Sequence, residues 1–335
     1  MRVVQFLASK GRGGLENVFV TLCNELSKTT EIDVIVFHKS AVIEKFDRNI
    51  RVHLLYANPS RFNPLLYIEL FVLMQKLQPD VMHTHSAKAT QIFYLLNKIL
   101  HFRHVATKHN SRKGNIFNKL HNVIAVSEGV SHSISSDTVK VIYNGMEPVK
   151  LLPPSKDKVF TILAVGRLDK IKGFDILIQE CVKLDVTYRL HIIGEGEQKA
   201  LLESLVRKLK LDDKVSLLGF REDIPQLMRN ADVAVVSSHS EGFSLVMIEA
   251  LFYANLFIST KVSGATEILD DKFLIDDFNI ATKINHIYLN YEEYQKEFSQ
   301  LQNKLRNRFL LEHVVDKHIA YYNSMTGDED DIENT

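Results

Sequence analysis

Short β-branched segments alternate with longer amphipathic segments along the whole chain, and this alternation constrains the fold more than any other feature. Seven such short segments occur before residue 147, and six follow residue 158. Strands that alternate with helices in this way form a parallel sheet with helices on both faces. The sequence therefore predicts an α/β fold with two doubly wound domains that face each other across a cleft.

Proline marks the boundary between the two predicted domains. Residues 147–158 hold three of the chain's seven prolines without a regular period, which is typical of a linker. We therefore predict an N-terminal domain over 1–147, a linker over 148–158 and a C-terminal domain over 159–325, whose last helix could pack back on the first domain. Residues 326–335 are rich in Asp and Glu and predict a disordered acidic tail.

Composition excludes several classes of protein. The chain of 335 residues exceeds the ~250 to 300 residues at which single cores stop growing. No apolar run reaches the ~18 to 20 residues of a membrane-spanning helix, and the apolar stretch after Met1 is too short for a signal peptide. Two cysteines, one in each half, exclude a disulfide framework and a cysteine-held metal. We therefore expect a cytoplasmic protein.

Charge is distributed unevenly, although the formal net charge is zero. Residues 1–150 contain 19 Lys and Arg against 11 Asp and Glu, and the remainder contains 22 against 30. A basic domain attracts anionic groups, so an anionic membrane surface is a candidate partner, particularly for residues 103–119 with their five Lys and Arg. An inert, solvated distribution of charge explains the same numbers. We expect no nucleic-acid partner.

The loops that follow the predicted strands are the candidate sites, because parallel sheets bind ligands at the carboxyl ends of their strands. After the first strand, Gly13 and Gly14 precede a helix, and glycine lets the backbone approach an anion at a helix N-terminus. A dinucleotide fingerprint would have a glycine where Glu16 stands. The loop therefore predicts either a phosphate site or a tight turn.

The first loop of the second half is basic. Arg167 and Lys172 lie within residues 166–174, and fixed cations of this kind neutralise a diphosphate leaving group without a metal ion. A solvated basic turn would have the same composition. The next glycine loop, which contains Gly194, is acidic and fits a tight turn as well as a ligand contact.

Residues 237–251 are the most informative part of the chain. Glu241 is predicted in a strand-to-helix loop, and Glu249 in the following helix, which Ser244 could cap. Gly242 permits close approach of an anion to the free amides at the start of that helix. A carboxylate beyond them could accept hydrogen bonds from a ribose diol. Two surface carboxylates would give the same spacing.

Together these residues resemble a known family. Glu241 and Glu249 match the Glu-x7-Glu signature of the retaining glycosyltransferases of family 4, and the basic loop matches that family's Arg/Lys loop. The resemblance is strong over residues 160–267 and weaker over 1–145. It implies the GT-B fold of two Rossmann-like domains, with the acceptor on the N-terminal domain and the nucleotide sugar on the C-terminal domain.

The resemblance also implies roles for residues of this chain. Glu249 would hold the ribose hydroxyls, Glu241 the hydroxyls of the donor sugar, and the two cations of the basic loop the diphosphate. His109 would lie near the donor sugar and the acceptor, and His83 and His85 are weaker candidates. The residues implied for catalysis are Glu241, His109, Arg167 and Lys172. The residues implied for donor binding are Gly13, Gly14, Arg167, Lys172, Gly194, Phe220, Arg221, Gly242, Phe243, Ser244, Leu245 and Glu249.

The resemblance implies transfer of a sugar from a nucleoside-diphosphate sugar with retention of the anomeric configuration, and UDP is the nucleotide expected first. The acceptor would be a hydroxyl of a cell-envelope glycan or a lipid-linked acceptor, as in lipopolysaccharide or polysaccharide biosynthesis. We expect no cofactor and no obligatory metal, because no Asp-x-Asp pair follows a strand and no His/Cys cluster has ligand spacing. Two alternatives stay open: a sugar-nucleotide epimerase of the same fold, and a catalytically silent nucleotide-sugar-binding subunit. A peripheral position at the inner face of the membrane would suit a lipid-linked acceptor.

The chain departs from the family at one turn. Asn255 and Phe257 stand near positions where the family has Gly and Pro. Asn can take a left-handed backbone conformation at modest cost, so we expect the fold to survive with Asn255 in that conformation. Phe257 is expected to alter how the following loop lies over the sugar.

Overall fold

The computed structural model describes residues 1–11, 13–112, 114–136, 138–155 and 159–327. The chain divides into two compact units. The first unit consists of Met1–Glu147 together with the chain from Phe309 onward, and the second unit is Pro148–Arg308. Each unit is built on its own parallel sheet.

The first unit contains a seven-stranded parallel sheet in the order β3-β2-β1-β4-β5-β6-β7. Its chain order reverses between β1 and β4, which is where doubly wound sheets bind ligands. The strands are β1 (Arg2–Leu7), β2 (Glu31–Phe37), β3 (Arg51–Leu55), β4 (Val81–His85), β5 (Arg103–Lys108), β6 (Asn122–Ala125) and β7 (Val139–Val141). The helices between them are α1 (Gly14–Leu26), α2 (Pro64–Leu77), α3 (Ser86–Leu100) and α4 (Glu128–Ser131).

The second unit contains a six-stranded parallel sheet in the order β10-β9-β8-β11-β12-β13. Its strands are β8 (Phe160–Val165), β9 (Tyr188–Ile193), β10 (Val215–Gly219), β11 (Val233–Val236), β12 (Phe257–Thr260) and β13 (Leu274–Ile275). Its helices are α5 (Phe174–Cys181), α6 (Lys199–Lys208), α7 (Ile224–Asn230), α8 (Leu245–Tyr253), α9 (Ser263–Thr266), α10 (Ile280–Leu289) and α11 (Tyr291–Leu305). The chain order reverses between β8 and β11. The prediction of two doubly wound α/β domains is therefore confirmed.

Alternating residues of each central strand pack on opposite faces of the sheet, as a strand period of two requires. In β1, Val3 joins the core under α1, while Val4 joins the core under α2 and α3. Both residues are fully buried. The apolar run at the start of the chain therefore forms the middle of a sheet that is covered on both faces.

The last helix, α12 (Leu311–Thr326), belongs to the first unit, so the predicted C-terminal domain over 159–325 extends too far. α12 packs against α1, and its Tyr322 is fully buried. Gly145 leaves room for this helix, because a Cβ there would lie 2.9 Å from the Cα of Leu311. The Met146 amide also donates to the carbonyl of Phe309 at 2.9 Å. The sequence allowed for this packing but did not specify it.

The predicted linker lies along the second unit. The amide of Val149 donates to the hydroxyl of Tyr253 at 2.8 Å, and the amide of Leu152 donates to the side chain of Gln226 at 2.9 Å. These contacts attach residues 148–155 to α8 and α7. Residues 156–158 of the linker and 328–335 of the predicted tail lie outside the described residues, and Thr326 is still helical.

The turn at Asn255 differs from the expectation. Asn255 is absent from the residues with left-handed backbone, and its side-chain amide instead donates to the carbonyls of Arg229 and Ala231 at 2.9 and 2.7 Å. The side chain thereby satisfies carbonyls at the end of α7. Phe257 is fully buried within β12, so its ring fills core volume.

Within the part of the chain that the structure describes, no helix is both long enough and apolar enough to cross a membrane.

Candidate functional site

Two glycine loops meet at the carboxyl edge of the second sheet. A Cβ at Gly194 would lie 1.9 Å from the carbonyl oxygen of Gly166, and a Cβ at Gly196 would lie 2.3 Å from that of Leu168. The amide of Leu168 also donates to the carbonyl of Glu195 at 2.8 Å. The close backbone approach of the two loops therefore explains why glycine stands at the predicted donor contact Gly194.

The basic loop after β8 is fixed from both sides. The carboxylate of Asp169 accepts hydrogen bonds from the amides of Ile171 and Lys172 at 3.1 and 3.3 Å. Gly173 follows with a left-handed φ of 63°, and a Cβ there would lie 2.2 Å from the carbonyl oxygen of Ser237. The loop after β8 is thus docked on the loop after β11 and holds Lys172 in a defined position.

Lys172 and Glu241, which the sequence places far apart, form an ion pair. The Nζ of Lys172 donates to Oε1 of Glu241, and the hydroxyl of Ser238 donates to the same oxygen at 2.8 Å. Both charged side chains are largely buried, with 19% and 12% of their surface exposed. The structure therefore brings two of the predicted catalytic residues together.

Arg167 lies at the rim of this edge. Its guanidinium pairs with Oδ2 of Asp169 at 2.6 Å, and 70% of its side chain is exposed. It lines an open hollow of about 410 Å³ together with Lys170, Ile171 and Glu197. An exposed guanidinium beside open volume can turn toward an anion at small cost in packing.

The start of α8 carries an unsatisfied polar group. Ser244 occupies the N-cap position with extended backbone, but its side chain accepts no hydrogen bond from the helix, so the predicted cap is wrong. Its hydroxyl is buried without a hydrogen-bond partner among the described residues. A buried hydroxyl left unpaired costs about 1–3 kcal/mol, and a bound anion at the helix N-terminus would provide the missing partner.

The loop before α8 is held tightly. A Cβ at Gly264, in α9, would lie 2.4 Å from the carbonyl oxygen of Gly242 and 3.0 Å from the ring of Phe243. Gly242 and Phe243 are buried. The predicted donor contacts Gly242, Phe243, Ser244 and Leu245 therefore form one packed turn whose amides have a fixed direction.

Glu249 lies in the second turn of α8 and is half-buried. Burial raises the pKa of its carboxyl group to about 7. Its carboxylate forms no hydrogen bond or ion pair with any described residue. A poorly solvated acceptor of this kind gains the most from a ligand that supplies two hydroxyl donors.

Phe220 and Arg221 follow β10 at the same edge. Gly219 turns the chain with a left-handed φ of 70°, and the Phe220 ring is 64% exposed. An exposed aromatic face can stack on a planar base. Arg221 forms two hydrogen bonds with Asp223 at 2.8 and 2.6 Å, so its guanidinium is already engaged.

The glycine loop of the first unit holds a protein carboxylate. Glu16 is buried and accepts hydrogen bonds from the amide of Gly13 at 2.8 Å and from the hydroxyl of Ser9. A Cβ at Gly11 would lie 2.9 Å from the same carboxylate. The N-terminus of α1, predicted as an anion site through Gly13 and Gly14, is therefore capped by Glu16 in this structure.

The predicted histidines lie together at the carboxyl edge of the first sheet. The Nδ1 of His85 is 3.2 Å from the Nε2 of His109, and the rings of His83 and His85 are 4.2 Å apart. Burial lowers the pKa of His109 to about 3. The His109 ring is therefore neutral at pH 7, and it can exchange hydrogen bonds but not donate a proton as a cation.

Sequence reasoning missed the residues that complete this cluster. The hydroxyl of Tyr322 lies 2.6 Å from Nδ1 of His83, and it accepts a hydrogen bond from the side-chain Nε2 of Gln5 at 3.2 Å. His318, also from α12, lines a cavity of about 20 Å³ with His85 and His109. That volume is enough for about one water molecule. Since α12 is more than 200 residues from β4, no local pattern could have revealed these contacts.

No group of three or more His, Cys, Asp or Glu side chains is arranged to hold a metal ion in the described ranges.

Two family models match adjacent parts of the chain. The model described as "Glycosyltransferase Family 4" matches residues 12–150, and the model described as "Glycosyl transferases group 1" matches residues 150–305. The two matches together run from α1 to the end of α11.

Known proteins resemble the chain over most of its length. An N-acetylgalactosamine-N,N'-diacetylbacillosaminyl-diphospho-undecaprenol 4-alpha-N-acetylgalactosaminyltransferase of Campylobacter jejuni is 27% identical, with 84% of this chain and 86% of the relative covered. A second C. jejuni enzyme, a GalNAc-alpha-(1->4)-GalNAc-alpha-(1->3)-diNAcBac-PP-undecaprenol alpha-1,4-N-acetyl-D-galactosaminyltransferase, is also 27% identical, with 95% and 97% covered.

Among solved structures, Anabaena Alr3699/HepE in complex with UDP-glucose has a TM-score of 0.85 at 22% identity, with 97% of this chain and 100% of that chain covered. At this identity the likeness shows the fold alone, and it confirms the GT-B expectation. Together with the paired carboxylates after β11 and the two matching models, it supports one conclusion: the chain belongs to glycosyltransferase family 4 and is a glycosyltransferase of the GT-B fold.

Proposed function

We propose that this glycosyltransferase transfers a sugar from a UDP-sugar, with retention of anomeric configuration, to a hydroxyl of a lipid-linked or cell-envelope glycan. The observation that carries the proposal is the arrangement at the start of α8. There the hydroxyl of Ser244 and the carboxylate of Glu249, neither of which has a hydrogen-bond partner among the described residues, lie at the same edge of one sheet as the Lys172–Glu241 pair. Each of these groups is suited to one part of a nucleotide sugar.

The donor would lie along this edge from base to sugar. Glu249 would accept hydrogen bonds from the ribose hydroxyls, and the exposed ring of Phe220 would stack on the base. The diphosphate would meet the amides at the start of α8 and the hydroxyl of Ser244. UDP is favoured because the neighbouring Anabaena structure was solved with UDP-glucose.

Charge neutralisation at the leaving group is assigned to Lys172 and Arg167. As the sugar–phosphate bond breaks, negative charge grows on the diphosphate, and fixed cations stabilise it. Lys172 would then share its ammonium group between Glu241 and the phosphate, while Glu241 accepts hydrogen bonds from the donor sugar. With these two cations, the proposal includes no obligatory divalent ion.

Retention would follow if the acceptor hydroxyl attacks from the face that the diphosphate leaves. The departing phosphate oxygen would take the hydroxyl proton, so no protein base is needed. His109 would act as a neutral hydrogen-bonding group for the sugar or the acceptor, in keeping with the lowered pKa of its ring.

The proposed acceptor is a glycan carried on a lipid diphosphate at the inner face of the membrane. Both C. jejuni relatives are named for undecaprenol-linked acceptors. An acceptor of this kind would place the protein at the membrane surface for catalysis, in the cytoplasm where nucleotide sugars are made.

Thermal shift tests the donor site directly. Wild-type protein and Glu249→Ala would be heated with UDP, GDP, ADP and NAD in turn. Saturation at about 100 times the Kd adds about 2.7 kcal/mol. We expect UDP alone to stabilise the wild type and to have no effect on Glu249→Ala, while Glu292→Ala, which removes an exposed carboxylate of α11, keeps the UDP response. Stabilisation by NAD only, or by none of the four, would contradict the proposal.

Product analysis separates the remaining alternatives. A transferase releases UDP in proportion to the acceptor supplied. If it retains configuration, the anomeric NMR coupling constant of the glycoside shows the same α or β configuration as the donor sugar. An epimerase would return a changed UDP-sugar without any acceptor. A silent subunit would show the UDP shift and no turnover with either.

A further inference from the structure

α2 has apolar residues on both of its sides. Leu66, Leu70 and Met74 point into the core under the first sheet and are fully buried. On the opposite side, where a surface helix normally has polar residues, Leu65 and Ile68 remain 65% and 59% exposed. A helix that is apolar all round needs a second apolar partner.

The exposed apolar residues continue onto the neighbouring helix. α2 and α3 pack against each other on the same face of the sheet. We define the outer apolar face of the two helices by six residues that are 44% to 84% exposed: Phe62, Leu65, Ile68, Val72, Leu95 and Ile99. Phe62 precedes Asn63, the N-cap residue of α2. Leu65, Ile68 and Val72 follow the spacing of one side of a helix, so the exposed apolar face is continuous along α2. A face of this kind is unusual on the surface of a protein that has no partner.

Cations surround this outer apolar face. The guanidinium of Arg61 lies 5.5 Å from the centre of the Phe62 ring, and the ammonium of Lys98 lies 5.4 Å from that of Tyr94. Lys88 lies in the first turn of α3. Burial lowers its pKa, and the nearby charges of Lys10 and Arg61 lower it further. The face therefore combines an apolar centre with a positive margin.

Acidic residues are nearly absent from the same region. Residues 56–101 contain four Lys and Arg but only two acids, Glu69 and Asp80. Glu69 accepts hydrogen bonds from the amides of Tyr56 and Ala57 at 2.9 and 3.0 Å, so its charge is used within the fold. Asp80 accepts from the amide of Arg2, at the amino end of the strands.

We propose that the outer apolar face of α2 and α3 docks on a phospholipid bilayer that contains anionic lipids. Its apolar side chains would enter the boundary between headgroups and acyl chains, and its cations would meet phosphate groups. α2 has 14 residues and is too short to span the roughly 30 Å core of a bilayer, so it would lie in the plane of the interface. This proposal deepens the membrane part of the proposed function and rests on it.

A second copy of the chain is the competing occupant. Symmetric pairing through this face would bring Arg61, Lys88 and Lys98 of each copy toward the same cations of the other, because a two-fold interface pairs a surface with itself. With few carboxylates in the region to compensate, the charges favour an anionic surface over a copy of the same one.

The face also differs from the basic segment that the sequence suggested. In residues 103–119, Lys108 is buried and donates to the hydroxyl of Ser133 at 2.7 Å, and His104 lies in the core. Lys113 lies outside the described residues. Of the described cations in that segment, Lys108 is therefore used inside the fold, while Arg103, Arg112 and Lys119 are exposed. The described residues of the segment do not carry the exposed apolar side chains that α2 and α3 combine with their cations.

Vesicle co-sedimentation of the full chain tests the proposal. The probes are vesicles of phosphatidylcholine and vesicles of phosphatidylcholine mixed with phosphatidylglycerol. We expect the wild type to bind the mixed vesicles more tightly, and the triple variant Leu65→Ser, Ile68→Ser, Val72→Ser to bind them at least about tenfold more weakly. Leu201→Ser, which removes an equally exposed leucine of α6 (63% exposed), should bind like the wild type.

Three results would overturn the proposal. They are failure of the wild type to bind either vesicle, undiminished binding by the triple variant, and a wild-type dimer in analytical ultracentrifugation that the triple variant converts to a monomer. Arg61→Glu with Lys98→Glu should remove the preference for phosphatidylglycerol. The UDP thermal shift, measured on every variant, separates the two proposals: its loss in all proteins counts against the donor site, and its presence in a variant that no longer binds vesicles shows intact folding.

Discussion

The ammonium group of Lys172 and the carboxylate of Glu241 form a largely buried ion pair, although they lie 69 residues apart in the chain. The pair joins the loop after β8 to the loop after β11, at the point where the order of strands reverses. Each partner holds the side chain of the other in place. The pair presents an ammonium group and a carboxylate side by side, and these groups suit a ligand with phosphate and hydroxyl groups.

Removal of Lys172 should therefore slow the chemical step more than it weakens donor binding. For Lys172→Ala we expect kcat to fall about 10²- to 10³-fold, as for the loss of one group that stabilises developing charge. Lys172→Arg should recover part of the rate. Steady-state kinetics with the donor at saturation measures the effect, and Lys183→Ala, which breaks a surface ion pair with Glu180, is the control. An unchanged kcat in Lys172→Ala would refute the role.

Ser244→Ala should have opposite effects on the stability of the ligand-free protein and on its affinity for UDP. Without ligand, the change removes a buried hydroxyl that has no partner among the described residues, so the free energy of unfolding should stay the same or rise. With UDP, it removes a donor to the diphosphate, and the Kd should rise about tenfold. Urea unfolding and calorimetric titration measure the two quantities. A loss of stability without ligand would show that the hydroxyl has a structural partner.

Gly194→Ala should destabilise the second unit far more than Gly219→Ala. Both glycines have positive φ, of 143° and 70°. A Cβ at Gly194 would collide with the carbonyl of Gly166, whereas nothing lies within 4 Å of a Cβ at Gly219. We expect a cost of about 1 kcal/mol at Gly219 and at least about 3 kcal/mol at Gly194, measured by urea unfolding. Equal costs would mean that the two loops are not packed as described.

Acid should unfold the first unit through its buried histidines. Burial lowers the pKa of His104 to about 3 and that of His318 to about 4, while both should titrate near 6.5 when unfolded. The unfolded chain therefore binds these protons first, so stability is complete above about pH 6.5 and falls as the pH drops toward 4. Each such histidine contributes a slope of about 1.4 kcal/mol per pH unit.

The variant His104→Phe isolates one of these slopes. It replaces a ring that stacks edge-on against Phe93 and whose Nδ1 has no partner among the described residues. Between pH 4 and 6 its free energy of unfolding should depend on pH about 1.4 kcal/mol per unit less steeply than that of the wild type. His313→Phe, on the exposed side of α12, should keep the wild-type slope.

The elements of this fold follow from local patterns, and the sequence predicted them well. The thirteen strands of the described ranges appear where β-branched segments were found, because strand period and length are set by neighbouring residues. The loops with Lys172 and Glu241 were predicted at sheet ends for the same reason. The parallel topology then places such loops side by side.

Side-chain partners were much harder to predict. Glu16 caps the helix that Gly13 and Gly14 were expected to open to an anion, and Asn255 binds carbonyls of α7 instead of adopting left-handed backbone. Both side chains form hydrogen bonds with nearby backbone groups, and no sequence motif predicts these bonds. Tyr322 reaches His83 only because α12 returns to the first sheet, and sequence spacing carries no information about such a return.

The return of α12 also sets the order in which the chain can be completed on the ribosome. The second unit is a continuous segment, so all of its contacts are available once residue 308 has been made. In the first unit, the core on the α1 side of the sheet includes Phe19 and Leu22. This core stays incompletely covered until residues 311–326 have been synthesised. The earliest part of the protein to be synthesised is thus the last to finish folding, and a nascent chain halted after α11 would expose an apolar surface that chaperones recognise.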